Sequence, residues 1–226
     1  MYLLVIAIAP VFIIAIYFYL RDKYEREPIQ LLTKSLIAGC VIVIPIMFLE
    51  RFLIYIEPSF FPDFHAFYTA FVVAAFSEEL FKYLAFILLI WNNKNFNEKF
   101  DGIIYAVFIA LGFAMIENIM YVFNYGAEVG YTRAITAVPG HAIDGIAMGF
   151  HFGIAKFYPR KRKIQLVYAL IIPIILHGIY DFILFSKMNQ LGIIFLIYLV
   201  YIWLIGFKRI KILSDVSIYR KIVKKK

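Results

Sequence analysis

The chain has 226 residues, 64% of them hydrophobic and 19% aromatic, with a formal net charge of +8 and one cysteine. This composition excludes an ordinary water-soluble globule and a disordered chain, and places the protein in the integral membrane class. Cys40, alone in an apolar run, excludes an intrachain disulfide.

Seven apolar runs reach the roughly 20 residues that span a bilayer as a helix: 2–20, 35–56, 65–91, 102–124, 134–156, 164–185 and 189–207. The first has no basic residues before it and several after it, the wrong polarity for a cleavable signal peptide, so it is expected to stay as an anchor. The third is long enough to tilt or to begin as a re-entrant piece. In the fifth, Pro139-Gly140 just before His141 is a pair that could break the helix there and expose backbone groups. The fold expected is all-α and polytopic: one transmembrane domain over 1–207, a catalytic core at about 65–185, and a basic tail over 208–226.

Charge sets the orientation. Lys and Arg outside the spans fall 19 on one side (Arg21 to Lys34, Lys94 and Lys99, Lys156 to Lys163, and the tail) and three on the other (Arg51, Arg133, Lys187). By the positive-inside rule the N-terminus lies outside and the C-terminus in the cytoplasm of a multi-pass cell-membrane protein. The net charge is therefore topological, directed at the anionic cytoplasmic leaflet and not at nucleic acid.

Against this background the ionisable residues inside the spans stand out: Glu78, Glu79 and Lys82 in the third, Glu117 in the fourth, His141 and Asp144 in the fifth, His177 and Asp181 in the sixth. Six charges there would cost roughly 15–20 kcal/mol if unpaired, at about 2.5–3.5 kcal/mol each. Such groups persist when they face one another, face water, or do chemistry. With the orientation above, all four sets fall between the midplane and the outer surface.

Helical spacing suggests how they meet. Glu78 and Lys82 lie one turn apart and can pair, while Glu79 points about 100° away. His177 and Asp181 share a face, so the aspartate can accept the second imidazole N–H and fix its tautomer. Gly145, Gly149 and Gly153 follow His141 on one ridge; Gly102, Ala106, Ala110 and Ala114 lead to Glu117 and Asn118. Small ridges let helices approach closely in lipid, so the fourth and fifth spans should pack tightly and bring Glu117 near His141. His151, towards the cytoplasmic end, and His65, at the outer entrance to the third span near Pro58 and Pro62, read as structural.

Glutamates and histidines around a wet pocket suit the activation of water. A zinc site with three protein ligands, drawn from His141, His177 and a glutamate such as Glu117, would leave one position for water. In a metal-free scheme one glutamate acts as general base and a histidine donates to the oxyanion. Spacing leaves both open. There is no H-E-x-x-H, no G-x-S-x-G and no Cys/His nucleophile.

Read in order, Glu78-Glu79-Leu80-Phe81-Lys82, Phe113 to Glu117, His141 to Gly145, His177 to Asp181 and the early Glu27-Pro28 resemble the PrsW family of intramembrane proteases, distantly similar to the CAAX-prenyl protease and Abi group. The resemblance covers about 20–185. It implies peptide-bond hydrolysis of a membrane-anchored substrate, of which anti-sigma factors are the known type. It makes Glu78 and Glu79 essential carboxylates, and His141 and His177 metal ligands or oxyanion donors. Two other classes remain as rivals: a proton- or cation-coupled carrier using a Glu/His/Asp relay, and a non-enzymatic membrane scaffold or immunity-type factor.

Overall fold

The computed structural model describes residues 1–22, 25–57, 64–186 and 191–215. Every regular element among them is helical. Helix α1 (Tyr2–Arg21) is apolar along its length and stops at its first basic residue. Helices α2 (Ile29–Val41) and α3 (Val43–Tyr55) form one rod interrupted at Ile42. Pro45 explains the interruption, because it offers no N–H to the carbonyl one turn back. A short turn, α4 (His65–Phe67), runs into a π-helical stretch (Tyr68–Ala75) and then α5 (Phe76–Leu89). Helix α6 (Lys99–Tyr125) opens on a reciprocal Glu98/Asp101 capping box and ends at Gly126, whose φ of +90° suits glycine. After it come α7 (Ala127–Ile135), α8 (Ala137–Phe157), a single 3₁₀ turn (Pro159–Lys161), α9 (Arg162–Phe185) and α10 (Leu191–Asp215).

Five helices are long and apolar enough to cross a membrane: Tyr2–Arg21, Ile29–Tyr55, Lys99–Tyr125, Pro159–Phe185 and Gly192–Leu213. The all-α, polytopic expectation therefore holds. Helix also occupies the other two expected spans, over 65–89 and 137–157. Their apolar character is diluted by the residues that make the site: the π-helical stretch interrupts one, and His141, Asp144 and four glycines sit in the other. Boundaries differ from expectation. The second rod begins at Ile29 rather than 35, α10 continues past 207 to Asp215, and α7 fills an expected loop. The Pro58/Pro62 region, Lys187 and the tail from 216 lie outside the described residues.

Helix α6 is the axle of the bundle: 72% of its apolar window is buried, against 22–28% for the other four spans. Small residues make that possible. A Cβ on Gly149 or Gly153 would run into the carbonyl of Gly102 or Lys99, and one on Gly145 would come within 2.9 Å of Val107 Cα. The tight α6–α8 seam expected from the small ridges is present. Further along α6, Gly39 and Gly112 bring α2 equally close.

Candidate active site

The π-helical stretch sets up the site. Bonding from i to i+5 widens the turn and shifts the phase of every side chain that follows; such segments recur at functional sites. Past it, Ser77, Glu78, Glu79 and Lys82 are all buried, at 0%, 5%, 0% and 1% exposure. Ser77 Oγ donates back to the carbonyls of Val73 and Ala74, which keeps its hydroxyl out of the cluster.

Lys82 is the hub. Its Nζ donates to Glu79 Oε1 at 2.7 Å and to Glu78 Oε2 at 3.2 Å, and lies 3.4 Å from His141 Nδ1 and 4.2 Å from the centre of the Phe113 ring. Spacing had suggested that one glutamate would pair with the lysine while the other turned away. The structure corrects this: the lysine stem reaches both, because i,i+3 and i,i+4 neighbours are both within range on a helix.

The two histidines come in from α8 and α9. His141 donates from Nε2 to Glu117 Oε2 at 2.8 Å, which turns Nδ1 towards Lys82. His177 stands between two carboxylates, with Nε2 3.2 Å from Asp181 Oδ2 and Nδ1 3.0 Å from Glu79 Oε1. The expected His177–Asp181 partnership is present, and so is the approach of Glu117 to His141. Each imidazole thus has one nitrogen on an outer carboxylate and the other facing the cluster. The ring centroids are 5.3 Å apart.

Glu78, Glu79, His141 and His177 each offer one donor atom, and the four atoms lie within 4.8 Å of one another. Nitrogen and carboxylate donors in that number suit a zinc-like ion. One observation favours a cation there: Glu79 Oε2 is buried with no hydrogen-bond partner among the described residues. The Lys82 ammonium, within 3.4 Å of Glu78, Glu79 and His141, offsets part of the same negative charge and would have to yield the lone pairs that a metal takes. Glu117, expected as a ligand beside His141 and His177, stands outside this group, on the far side of the His141 ring. Glu79, the second glutamate of α5, fills the gap.

A cavity of about 300 Å³ opens on the cluster. Glu78, His141, His177, Asp181 and Glu117 line it; Glu79 and Lys82 sit behind that wall. Three further acidic or basic residues face it: Glu50 from α3, Asp144 from α8 and Arg133 from α7. Asp144 Oδ2 lies 4.0 Å from His177 Nδ1. Spacing had left Asp144 undecided, although it sits one turn after His141. In the sequence nothing marks Glu50, which adjoins Arg51 near the end of its span. Arg133 was counted only as a charge outside the membrane. His151 pairs with Gln165 at 2.6 Å, and His65 with Glu57 at 2.7 Å, both away from the cluster.

The chain matches the sequence pattern described as "PrsW family intramembrane metalloprotease" over residues 27–206. It is 39% identical over 204 residues to the protein named Protease PrsW of Oceanobacillus iheyensis, covering 90% of this chain and 92% of that one. It is 37% identical over 216 residues to Protease PrsW of Clostridioides difficile, covering 92% and 90%, and 35% identical over 205 residues to that of Bacillus subtilis, covering 90% and 92%. No solved structure matches it.

Proposed function

Since the chain belongs to the PrsW family of intramembrane metalloproteases, and so is a multi-pass peptidase of the cell membrane, we propose that it hydrolyses a membrane-anchored protein of the anti-sigma-factor type. Glu78 would serve as general base, and Glu79, His141 and His177 would hold a zinc ion. The division of labour between the glutamates rests on one observation: Glu78 lines the cavity, whereas Glu79 is sealed behind it with 0% exposure. A base must touch water, and a ligand must be fixed.

Zinc, when bound, supplies Lewis acidity and lowers the pKa of the attacking water. The protein does the rest. Glu78 takes a proton from water as the oxygen–carbonyl carbon bond forms. It returns that proton to the departing amine as the C–N bond breaks, so one carboxylate serves as base and then acid. Lys82 offsets the charge of the paired glutamates at 2.7 and 3.2 Å. Glu117 and Asp181 hold the imidazoles so that their inner nitrogens converge. The cluster lies towards the α6–α7–α8 end of the bundle, opposite Lys94, Lys99 and the Lys156–Lys163 run. With those basic segments in the cytoplasm, cleavage falls in the extracytoplasmic half of the bilayer. Family membership leaves the carrier and scaffold readings without support.

Reconstitution in liposomes with a single-pass test substrate checks this reading. Glu78→Gln and Glu79→Gln should both lose cleavage, but only Glu79→Gln should also lose stoichiometric zinc. Normal cleavage by Glu78→Gln would overturn its role as base.

A further inference from the structure

We propose that Arg133, on the short outer helix α7, is a positioning residue for hydrolysis: it clamps Glu117, and through Glu117 it fixes the His141 imidazole. The proposal rests on the reading that His141 belongs to the hydrolytic centre.

Three contacts of the guanidinium fall within little more than one turn of α6, from Glu117 to Tyr121. Arg133 Nη2 lies 2.7 Å from Glu117 Oε2 as an ion pair. Nε donates to Asn118 Oδ1 at 3.0 Å, and the guanidinium carbon sits 3.9 Å from the centre of the Tyr121 ring. Asn118 is itself fully buried and donates from Nδ2 to the carbonyl of Ala7 on α1 at 2.8 Å. The clamp is thus braced against a third helix.

The oxygen that Arg133 pairs with is also the one that accepts from His141 Nε2 at 2.8 Å. A glutamate side chain has several rotatable bonds, and without a second partner it could swing away from the histidine. The His141 N–H and the Arg133 charge both act on that one oxygen and hold it in place. The side chains of Arg133 and Glu117 are only 13% and 15% exposed, so water screens the pair weakly. A planar fork that stacks on an aromatic ring while pairing at its edge is an arginine geometry that lysine reproduces only in part. A charge needed for topology alone would sit in water; this one is turned inward, paired with Glu117, bonded to Asn118 and set over Tyr121.

The test uses full-length protein in liposomes with a membrane-anchored substrate, together with competition between the purified protein and a zinc chelator. Arg133→Gln should lower kcat by about 10-fold, the low end of the range for losing the direct partner of a ligating histidine, because Arg133 acts through Glu117, with KM within about twofold. It should also release zinc at lower chelator concentration. Arg133→Lys, which keeps the charge and protects the fold, should recover part of both. A raised KM with unchanged kcat would overturn the proposal in favour of a substrate contact. Unchanged kcat would overturn it outright, as would kcat losses in both variants that merely track their thermal unfolding midpoints. Glu79→Gln run in parallel separates the two levels. If it is fully active, the proposed hydrolytic centre fails; if it is dead while Arg133→Gln behaves as wild type, only the clamp fails.

Discussion

Glu79 Oε1 lies 3.0 Å from His177 Nδ1, joining residues 98 positions apart in the chain. The contact exists because α9 presses against the π-helical stretch just before α5. Gly178 marks the place: a Cβ there would collide with the ring of Phe71. Gly178→Ala should therefore push α9 outward and carry His177 with it. We expect a loss of stability of about 1–3 kcal/mol, typical of overpacking, with a larger proportional loss of cleavage. Thermal unfolding in detergent and liposome cleavage measure the two. An unchanged cleavage rate would mean that the Glu79–His177 distance is not critical.

Asp181 accepts on the outer nitrogen of His177 at 3.2 Å. Asp181→Asn keeps the size and removes the charge. Cleavage should fall about 10–100-fold, the range for losing a carboxylate that orients a ligating histidine, while KM stays near wild type. A rise in KM alone would assign Asp181 to substrate binding instead.

Lys82 neutralises a pair of buried carboxylates. Lys82→Met should destabilise the protein by about 3–5 kcal/mol, the range for stripping one partner from a buried ion pair. Adding Glu79→Gln to Lys82→Met should restore part of the unfolding midpoint and none of the activity. Strict additivity of the two changes would show that the residues are not coupled.

The connection between α1 and α2 carries a pH-dependent load. Burial pushes the Asp22 carboxyl up to about 7, against the opposing hydrogen bond from Glu27 N–H at 2.9 Å; the charges of Glu98 and Glu25 add to the rise. Burial also raises Glu27 to about 7, opposed by its hydrogen bond from the Tyr105 hydroxyl and helped by the charge of Asp22. A carboxyl whose folded pKa is raised holds its proton longer in the folded state than in the unfolded one. Its contribution to stability is therefore most favourable below the unfolded value of about 4 and declines as pH rises to about 7. The unfolding midpoint should fall across that window, and Asp22→Asn should flatten the decline by a few degrees, on the order expected from the size of the chain. Parallel wild-type and variant curves would refute this.

Class and chemistry were legible in the sequence for an energetic reason. A charge in an apolar run is costly, so Glu78, Glu79, Lys82, Glu117 and Asp181 stood out without any coordinates, and His141 and His177 fell in the same half of their spans. The small ridges were equally plain, because only glycine and alanine permit the α6–α8 approach. What the tertiary structure alone decided was partnership. That Lys82 serves both glutamates, that Glu79 is sealed while Glu78 meets the cavity, and that Glu117 lies behind His141 depend on side-chain rotamers and on how α5, α6, α8 and α9 pack, which periodicity within one helix does not give. Glu50 and Arg133 joined the cavity wall only once α3 and α7 had docked on the bundle. A linear pattern records what each residue costs within its own helix; whom it meets is fixed by helix packing across long sequence separations.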